Sequence, residues 1–327
     1  MQDLTPSFEL LDQQQLPKTT EAMTAFLDAL PAGTHLALEA TGHWMRFADL
    51  LGDRPLHLHL AHPYRTRAIA AARIKTDKID SQILAHLLRT DLLPEAYLAP
   101  RPIRDLRQLL RYRVHLVGYR TSLKNRLRAL LAQEGATCPY TSLDGQKARR
   151  WLTTSPWSPA VSTALTGYLQ TLAHLGETLK SLDRQLQQRA ATSPPARVLM
   201  TLPGLGAFGA LLVLAEIGDI ARFPSAKQLC SYAGLVPSTR ASADKVRHGA
   251  LTKQGSKYLR WILVTVSSHA VRGSCHLAQL YARVKAKHRV PAARVAVARA
   301  MLIAIYHMLS TDQPYRDPRQ SANRIGV

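Results

Sequence analysis

The strongest constraint on this chain lies at 109–130. There Leu109, Tyr112, Leu116, Tyr119, Leu123 and Leu130 recur on a heptad-like seam that only Arg126 breaks. A stripe with that repeat predicts a long helix that must bury one side against a partner. Val161 to Arg189 is the second helical stretch and the natural partner, with Gly135 to Gly145, which contains Pro139, as the connecting loop. The seam divides the chain into three expected domains: 1–100, a basic helical coiled-coil region at 101–192, and 193–327.

The other faces of the long helix carry Arg104, Arg107, Arg111, Arg113, Arg120, Lys124 and Arg128. This belongs to a wider imbalance: 43 Lys and Arg against 22 Asp and Glu give a formal charge of +21. A polyanionic partner accounts for such an excess, because each neutralised phosphate releases condensed counterions. An unrelated basic enzyme or a ribosome-associated protein shares the composition. A solvated helix face and a nucleic-acid clamp both fit the arginines, and the overall charge favours the clamp, with Arg111, Arg120, Lys124 and Arg128 as its contacts.

Cys138, Cys230 and Cys275 are odd in number and far apart, which excludes a disulfide framework or a zinc site and fits reduced thiols. Met1 to Leu16 is polar and lacks the apolar core of a secretory signal. Val295 to Leu309 is interrupted by Arg299 and His307 and reads as a core helix rather than a membrane span. The expected location is the cytoplasm.

The first hundred residues alternate between strand and helix patterns: strand Phe8 to Leu11, helix Thr19 to Leu30, strand Thr34 to Glu39, helix Trp44 to Leu51, strand Pro55 to Ala61, and a helix from about Asp77. That order predicts an α/β domain. Ser193-Pro194-Pro195 opens a mainly α region, with helices at Ala207 to Ile217, Ser225 to Tyr232, Lys257 to Val271 and Ala292 to Leu309. Gly234 to Gly255 shows no helical period and reads as a long loop, a class that is often functional.

Glu39 ends an apolar strand, where an acid is costly unless paired or bound to a cation. Asp77 and Asp80 are three residues apart and share one helix face. Oxygen-rich clusters of this kind suit Mg²⁺ or Mn²⁺. The spacing alone fits better a plain role, in which Asp77 starts a helix and Asp80 pairs with a neighbouring cation. His57 and His59 alternate with leucines and read as a polar strand face.

In order along the chain stand ALEATGHW, AHPYRTRAIAAARIKTDKIDSQILA, LMTLPGLGAFGALLVLAEIGDIARFPSAKQLCSYAGLVP and KQGSKYLR. Together they resemble the DEDD transposases of the insertion-sequence one-ten family over about Phe8 to Leu309. The resemblance implies a RuvC-like (RNase H-like) N-terminal domain, a coiled-coil middle and a C-terminal transposase domain with a serine nucleophile. It further implies DNA as donor and target, a noncoding bridge RNA, and a tetramer with shared active sites; the heptads by themselves point to self-association, such as a dimer through the coiled coil. Glu39, Asp77 and Asp80 take the places of the second, third and fourth family acids and of its metal ligands, and Ser242 takes that of the nucleophile. Read without the family, 238–248 is a basic loop in which Ser242 ranks no higher than Ser238 or Thr239, although Arg240, Lys245, Arg247 and His248 suit a scissile phosphate. Pro203 to Gly206 resembles a helix-hairpin-helix turn, in which Gly204 and Gly206 would approach phosphate; a plain tight turn fits equally. Lys75, Lys253, Lys257 and Arg260 complete the nucleic-acid contacts.

The family's first acid belongs in a Gly-(Ile/Val)-Asp strand ahead of Phe8, and no such segment is present; Asp3 has no apolar strand before it. Either translation begins upstream of Met1 or this is a shortened copy. Three activities are therefore expected as competitors: a serine recombinase, a RuvC-like endonuclease that uses water and the same acids, and a nucleic-acid-binding remnant without chemistry.

Overall fold

A computed structural model describes residues 12–42, 44–69, 77–242 and 245–318. The chain forms two compact units, 1–101 and 102–327. Among the described residues of the first unit, α1 (Thr20–Asp28), β1 (His35–Glu39), α2 (Trp44–Leu51), β2 (His57–Ala61), α3 (Pro63–Ile69) and α4 (Asp77–Arg89) follow in order. Thr19 caps α1 by accepting from the Ala22 amide at 3.2 Å. The strands pair in parallel, His35 beside His57 and Glu39 beside Ala61, with α2 as the crossover, and α4 packs on β1. The alternation expected from the sequence is the one observed, with α3 as an added helix; the expected strand at Phe8 to Leu11 lies outside the described residues.

The second unit opens on α5 (Arg101–Gln133), of 33 residues, followed by α6 (Gln146–Thr154) and the 34-residue α7 (Pro159–Thr192). The two long helices run antiparallel. Leu116 meets Leu179 and Leu182, whereas Leu127 and Leu131 meet Leu165, Leu169 and Leu172. The buried seam is not the expected one. Leu110, Leu116, Leu127 and Leu131 carry it, while Tyr112 and Tyr119 are 47% and 62% exposed. The physical reason is the tyrosine hydroxyl: inside a leucine seam it would have no partner, so α7 docks on the aliphatic flank of the stripe. Arg113 crosses to Asp183 at 2.6 Å and pins the register.

Ser193 ends α7 and caps α8 (Pro194–Met200), because Pro194 cannot donate to the preceding helix. Next come α9 (Ala207–Ile217), α10 (Ala226–Tyr232), a hairpin of β3 (Pro237–Ser242) and β4 (Lys245–Leu251), α11 (Lys257–Gly273), α12 (Cys275–Lys287) and α13 (Val290–Thr311). Sequence periodicity does not reveal α6, α8, α12 or the hairpin. One core joins α9, α11 and α13 with the ends of α5 and α7, through Leu110, Leu186 and Ala190. At 22 residues, α13 is long and apolar enough to cross a bilayer by length and composition alone. Its Ala293, Val297, Met301, Leu302 and Ile305 are instead buried in this core.

Gly204 serves packing. Its φ is +82°, and a Cβ there would sit 2.8 Å from the Ala270 amide, so the turn before α9 lies directly on the backbone of α11. Gly206 caps α9 with open space around it.

Near the α6 end, Lys124 binds Asp144 at 2.8 Å and Ser142 donates to the same carboxylate at 2.7 Å. Burial opposes ionisation of Asp144, but hydrogen bonds from Lys124, Ser142 and its own amide outweigh burial and hold it at about 2. A depressed carboxylate stabilises above its unfolded value near 4 and loses that contribution as pH falls through its folded value. Asp144→Asn is therefore expected to cost at most about 1 kcal/mol at neutral pH, given this exposed setting. In acid unfolding the difference from the parent chain should vanish between pH 4 and about 2.

Candidate active site

In the first unit, β1 delivers Glu39 half-buried at its C-terminal end, and α4 delivers Asp80 half-buried in its first turn. Both line one open cleft of about 820 Å³, with Thr41, Ser81, Leu84 and Ala85. Asp77 opens α4 three residues before Asp80, so the helical spacing inferred from sequence holds for the backbone. The Asp77 side chain and Lys75 lie outside the described residues. Among the described residues, no three acids, histidines or cysteines converge into a metal-holding group. Glu39 and Asp80 supply hard oxygen donors in one place, which fits Mg²⁺ or Mn²⁺, since Mg²⁺ is ordinarily held by one or two carboxylates with water and substrate phosphate.

In the second unit, Ser242 is the last residue of β3 and pairs with Lys245 across the turn, while Arg240 stands opposite Arg247. The long loop expected at Gly234 to Gly255 is thus an antiparallel hairpin with an irregularity between Pro237 and Thr239. Its residues are small or basic, so no apolar alternation marks the strands, and its turn lacks the Asn-Gly or Asp-Gly signal.

The segments that flank this hairpin, at Tyr232–Ala233 and Gly255–Ser256, meet at a buried carboxylate outside the motifs that the sequence singles out. Glu216, 2% exposed near the end of α9, accepts from Arg111 Nε at 3.0 Å and Nη2 at 2.8 Å. Its other oxygen accepts from Ser256 Oγ at 2.8 Å. Ser256 caps α11 and donates its amide to Tyr232 O at 3.1 Å, and Arg260 donates to Ala233 O at 2.9 Å. The carbonyls ending α9 are occupied as well: Arg107 donates to those of Ala215 and Glu216, Tyr232 to that of Glu216, and Arg222 to that of Ile217. Burial lowers the Arg107 pKa, against the opposing pull of Tyr232 and Glu216. Gly255, at φ +94°, presses so closely on the Tyr232 carbonyl that no Cβ fits. The sequence signal for Glu216 is an acid inside the apolar run LLVLAEIG, which cannot be buried without a partner.

The expected nucleic-acid contacts separate accordingly. Arg111 and Arg260 are turned to protein acceptors, and Arg111 also lies over the Tyr258 ring at 4.8 Å. Lys124 is paired with Asp144, whereas Arg128 is exposed beside Asn125 and Arg120 is half-buried. Lys253 and Lys257 are exposed at the start of α11, with Lys257 Nζ 5.1 Å from the Tyr258 ring centre.

Removing the Glu216 carboxylate leaves Arg111 and Ser256 without their acceptor. Glu216→Ala is expected to cost about 2–4 kcal/mol in denaturant unfolding, discounted from a fully buried pair because Arg111 is 38% exposed. Gly255→Ala should cost a comparable amount, through forced displacement of the Tyr232 backbone.

Comparison with known proteins bears on both units. Residues 4–135 match the DEDD transposase model of IS110 elements, and residues 196–284 match the transposase IS116/IS110/IS902 family. The transposase for insertion sequence element IS1111A of Coxiella burnetii is 26% identical over 70% of this chain and 64% of its own length. The transposase for insertion sequence element IS1328 of Yersinia enterocolitica is 28% identical over 74% of this chain and 72% of its own length. A pilin gene-inverting protein of Moraxella bovis is 27% identical over 69% of this chain and 64% of its own length. The first match takes in the 1–101 unit and continues through α5, and the second lies within the 102–327 unit; with both models matched in order, the chain belongs to the IS110 family of transposases.

Proposed function

We propose that this chain recombines DNA by a metal-dependent reaction in which Ser242 is the nucleophile, excising and inserting its own element. The observation that carries the reading is the pairing of two matched family regions with two chemistries: carboxylates sharing a cleft in one, and a serine ending an anchored hairpin in the other. The pilin gene-inverting relative supports strand exchange as the reaction class, since inversion also demands cutting and rejoining.

In this reading the Ser242 Oγ attacks a DNA phosphorus and the P–O bond to one deoxyribose oxygen breaks. The serine proton leaves to a base and the departing oxygen takes one up, so the phosphodiester is conserved as a phosphoserine link. Attack by a hydroxyl of the second strand on that link releases the serine and completes the exchange. Glu39, Asp80 and Asp77 would hold Mg²⁺ or Mn²⁺, which when bound stabilises charge on the transferring phosphoryl group. The RuvC-like fold of the first unit, a noncoding bridge RNA as guide and a tetrameric assembly complete the proposal. They are supported by the family resemblance and, for a polyanionic partner, by the net charge of +21.

The test is covalent capture of a labelled DNA substrate in the presence of Mg²⁺. Ser242→Ala should abolish the adduct while DNA affinity changes less than about twofold. Glu39→Gln and Asp80→Asn should slow its formation on the order of 10²–10³-fold. Cleavage that persists in Ser242→Ala without any adduct would replace this reading with water-driven, RuvC-like hydrolysis; binding without cleavage in the parent chain would leave a nucleic-acid-binding remnant.

A further inference from the structure

We propose that the cleft beside β1 also carries a subsite for the phosphodiester backbone of a nucleic-acid strand, formed by His35 and Arg89. The inference rests on reading Glu39 and Asp80 as the carboxylates of a nucleic-acid-processing site. All four side chains line the same cleft. His35 precedes Glu39 by four residues of strand, about 13 Å, and Arg89 follows Asp80 by nine residues of helix, also about 13 Å. Groups able to hold phosphate thus accompany groups able to hold a cation, at a span that about four stacked nucleotides of one strand cover.

His35 is fixed in place by a chain of hydrogen bonds. Its Nδ1 lies 2.8 Å from His59 Nε2, and His59 Nδ1 lies 2.6 Å from Glu95 Oε1. The His35 ring is also 4.7 Å from that of His57, its register partner on β2. A carboxylate only accepts, so His59 donates through Nδ1 and accepts at Nε2, and His35 donates its Nδ1 proton to it. In the neutral His35 ring, Nε2 is therefore an acceptor. Gripping a phosphate oxygen requires the imidazolium, whose charge Glu95 offsets through His59. Phosphate binding here is coupled to uptake of one proton. Among the described residues, the other charged or titratable groups around His35 and its cleft are His57, His59 and Glu95 on its own sheet face, Glu39, Asp80 and Arg89 around the cleft, and His86, whose Nδ1 lies 3.5 Å from Arg89 Nη2. Arg89 contributes a planar fork of donors matched to phosphate oxygens.

Binding of a short single-stranded oligonucleotide to the full chain in EDTA tests this without any chemistry. Affinity should rise several-fold as the pH is lowered, because the imidazolium donates where the neutral ring accepts. His35→Gln should erase that difference, and Glu95→Gln should reduce it, with both variants melting as folded proteins. Arg89→Ala should lower the slope of log affinity against log salt by about 0.7. A His35→Gln variant with the parent pH dependence, or an Arg89→Ala variant with the parent salt slope, overturns the subsite. The two readings fail separately. Covalent capture by the parent chain alongside unchanged binding in these variants removes the subsite alone. The predicted binding changes in a chain that forms no adduct remove the recombinase reading alone.

Discussion

A carboxylate buried at the end of an apolar helix is costly unless its surroundings supply donors, and in the 102–327 unit those donors come from three separate places. Arg111 reaches Glu216 from the long basic helix, Ser256 reaches it from the cap of α11, and Tyr232 closes on its carbonyl from α10. None of these side chains can leave without orphaning another, so the hub acts as one unit. Through Ser256, Arg260 and the glycine contact at Gly255, the segments on either side of the β3–β4 hairpin are joined at this hub. A serine on a two-stranded ribbon would otherwise be poorly placed, because an isolated hairpin is marginal by itself.

The first unit places its acids by a different route. A strand end and a helix start are positions where backbone geometry sets a side chain with little help from packing, and Glu39 and Asp80 use one each. Their cleft is lined at one end by His35, which hydrogen-bonding through His59 to Glu95 ties to β2 and the segment that follows α4. One unit therefore brings two carboxylates to one cleft, while the other pairs Ser242 with Lys245, and Arg240 with Arg247, along one hairpin. Glu39 and Asp80 lie in the first matched region of the family and Ser242 in the second.

Much of the fold is legible in the linear chain, for reasons that can be named. Helices with sustained periodicity and clear stops, such as α9 and α7, are readable because Gly218 and the Ser193-Pro194 junction end them by backbone chemistry. The alternation of β1, α2 and β2 is readable because apolar side chains at a period of two suit a half-buried strand and little else. The hairpin is invisible, since a strand made of small and basic residues carries no such period, and α12 is hidden by its mixed polar faces. Arg111 and Arg260 look like phosphate contacts because sequence reports charge and not direction. Only the fold shows that each is turned toward a protein acceptor.

The linear sequence by itself determined the ordered family motifs, the excess of positive charge, the two long helices and the helical spacing of Asp77 and Asp80. These are local or additive properties, set by neighbours a few residues apart or by simple totals. Tertiary structure alone decided that Glu39 and Asp80, forty-one positions apart, share a cleft, and that His35 and Arg89 line it with them. It also decided that Tyr112 and Tyr119 stay outside the helical seam, and that an acid in an apolar run joins the long basic helix to the cap of α11. Such pairings depend on which face each element buries, and burial is a property of the assembled core that no single segment carries.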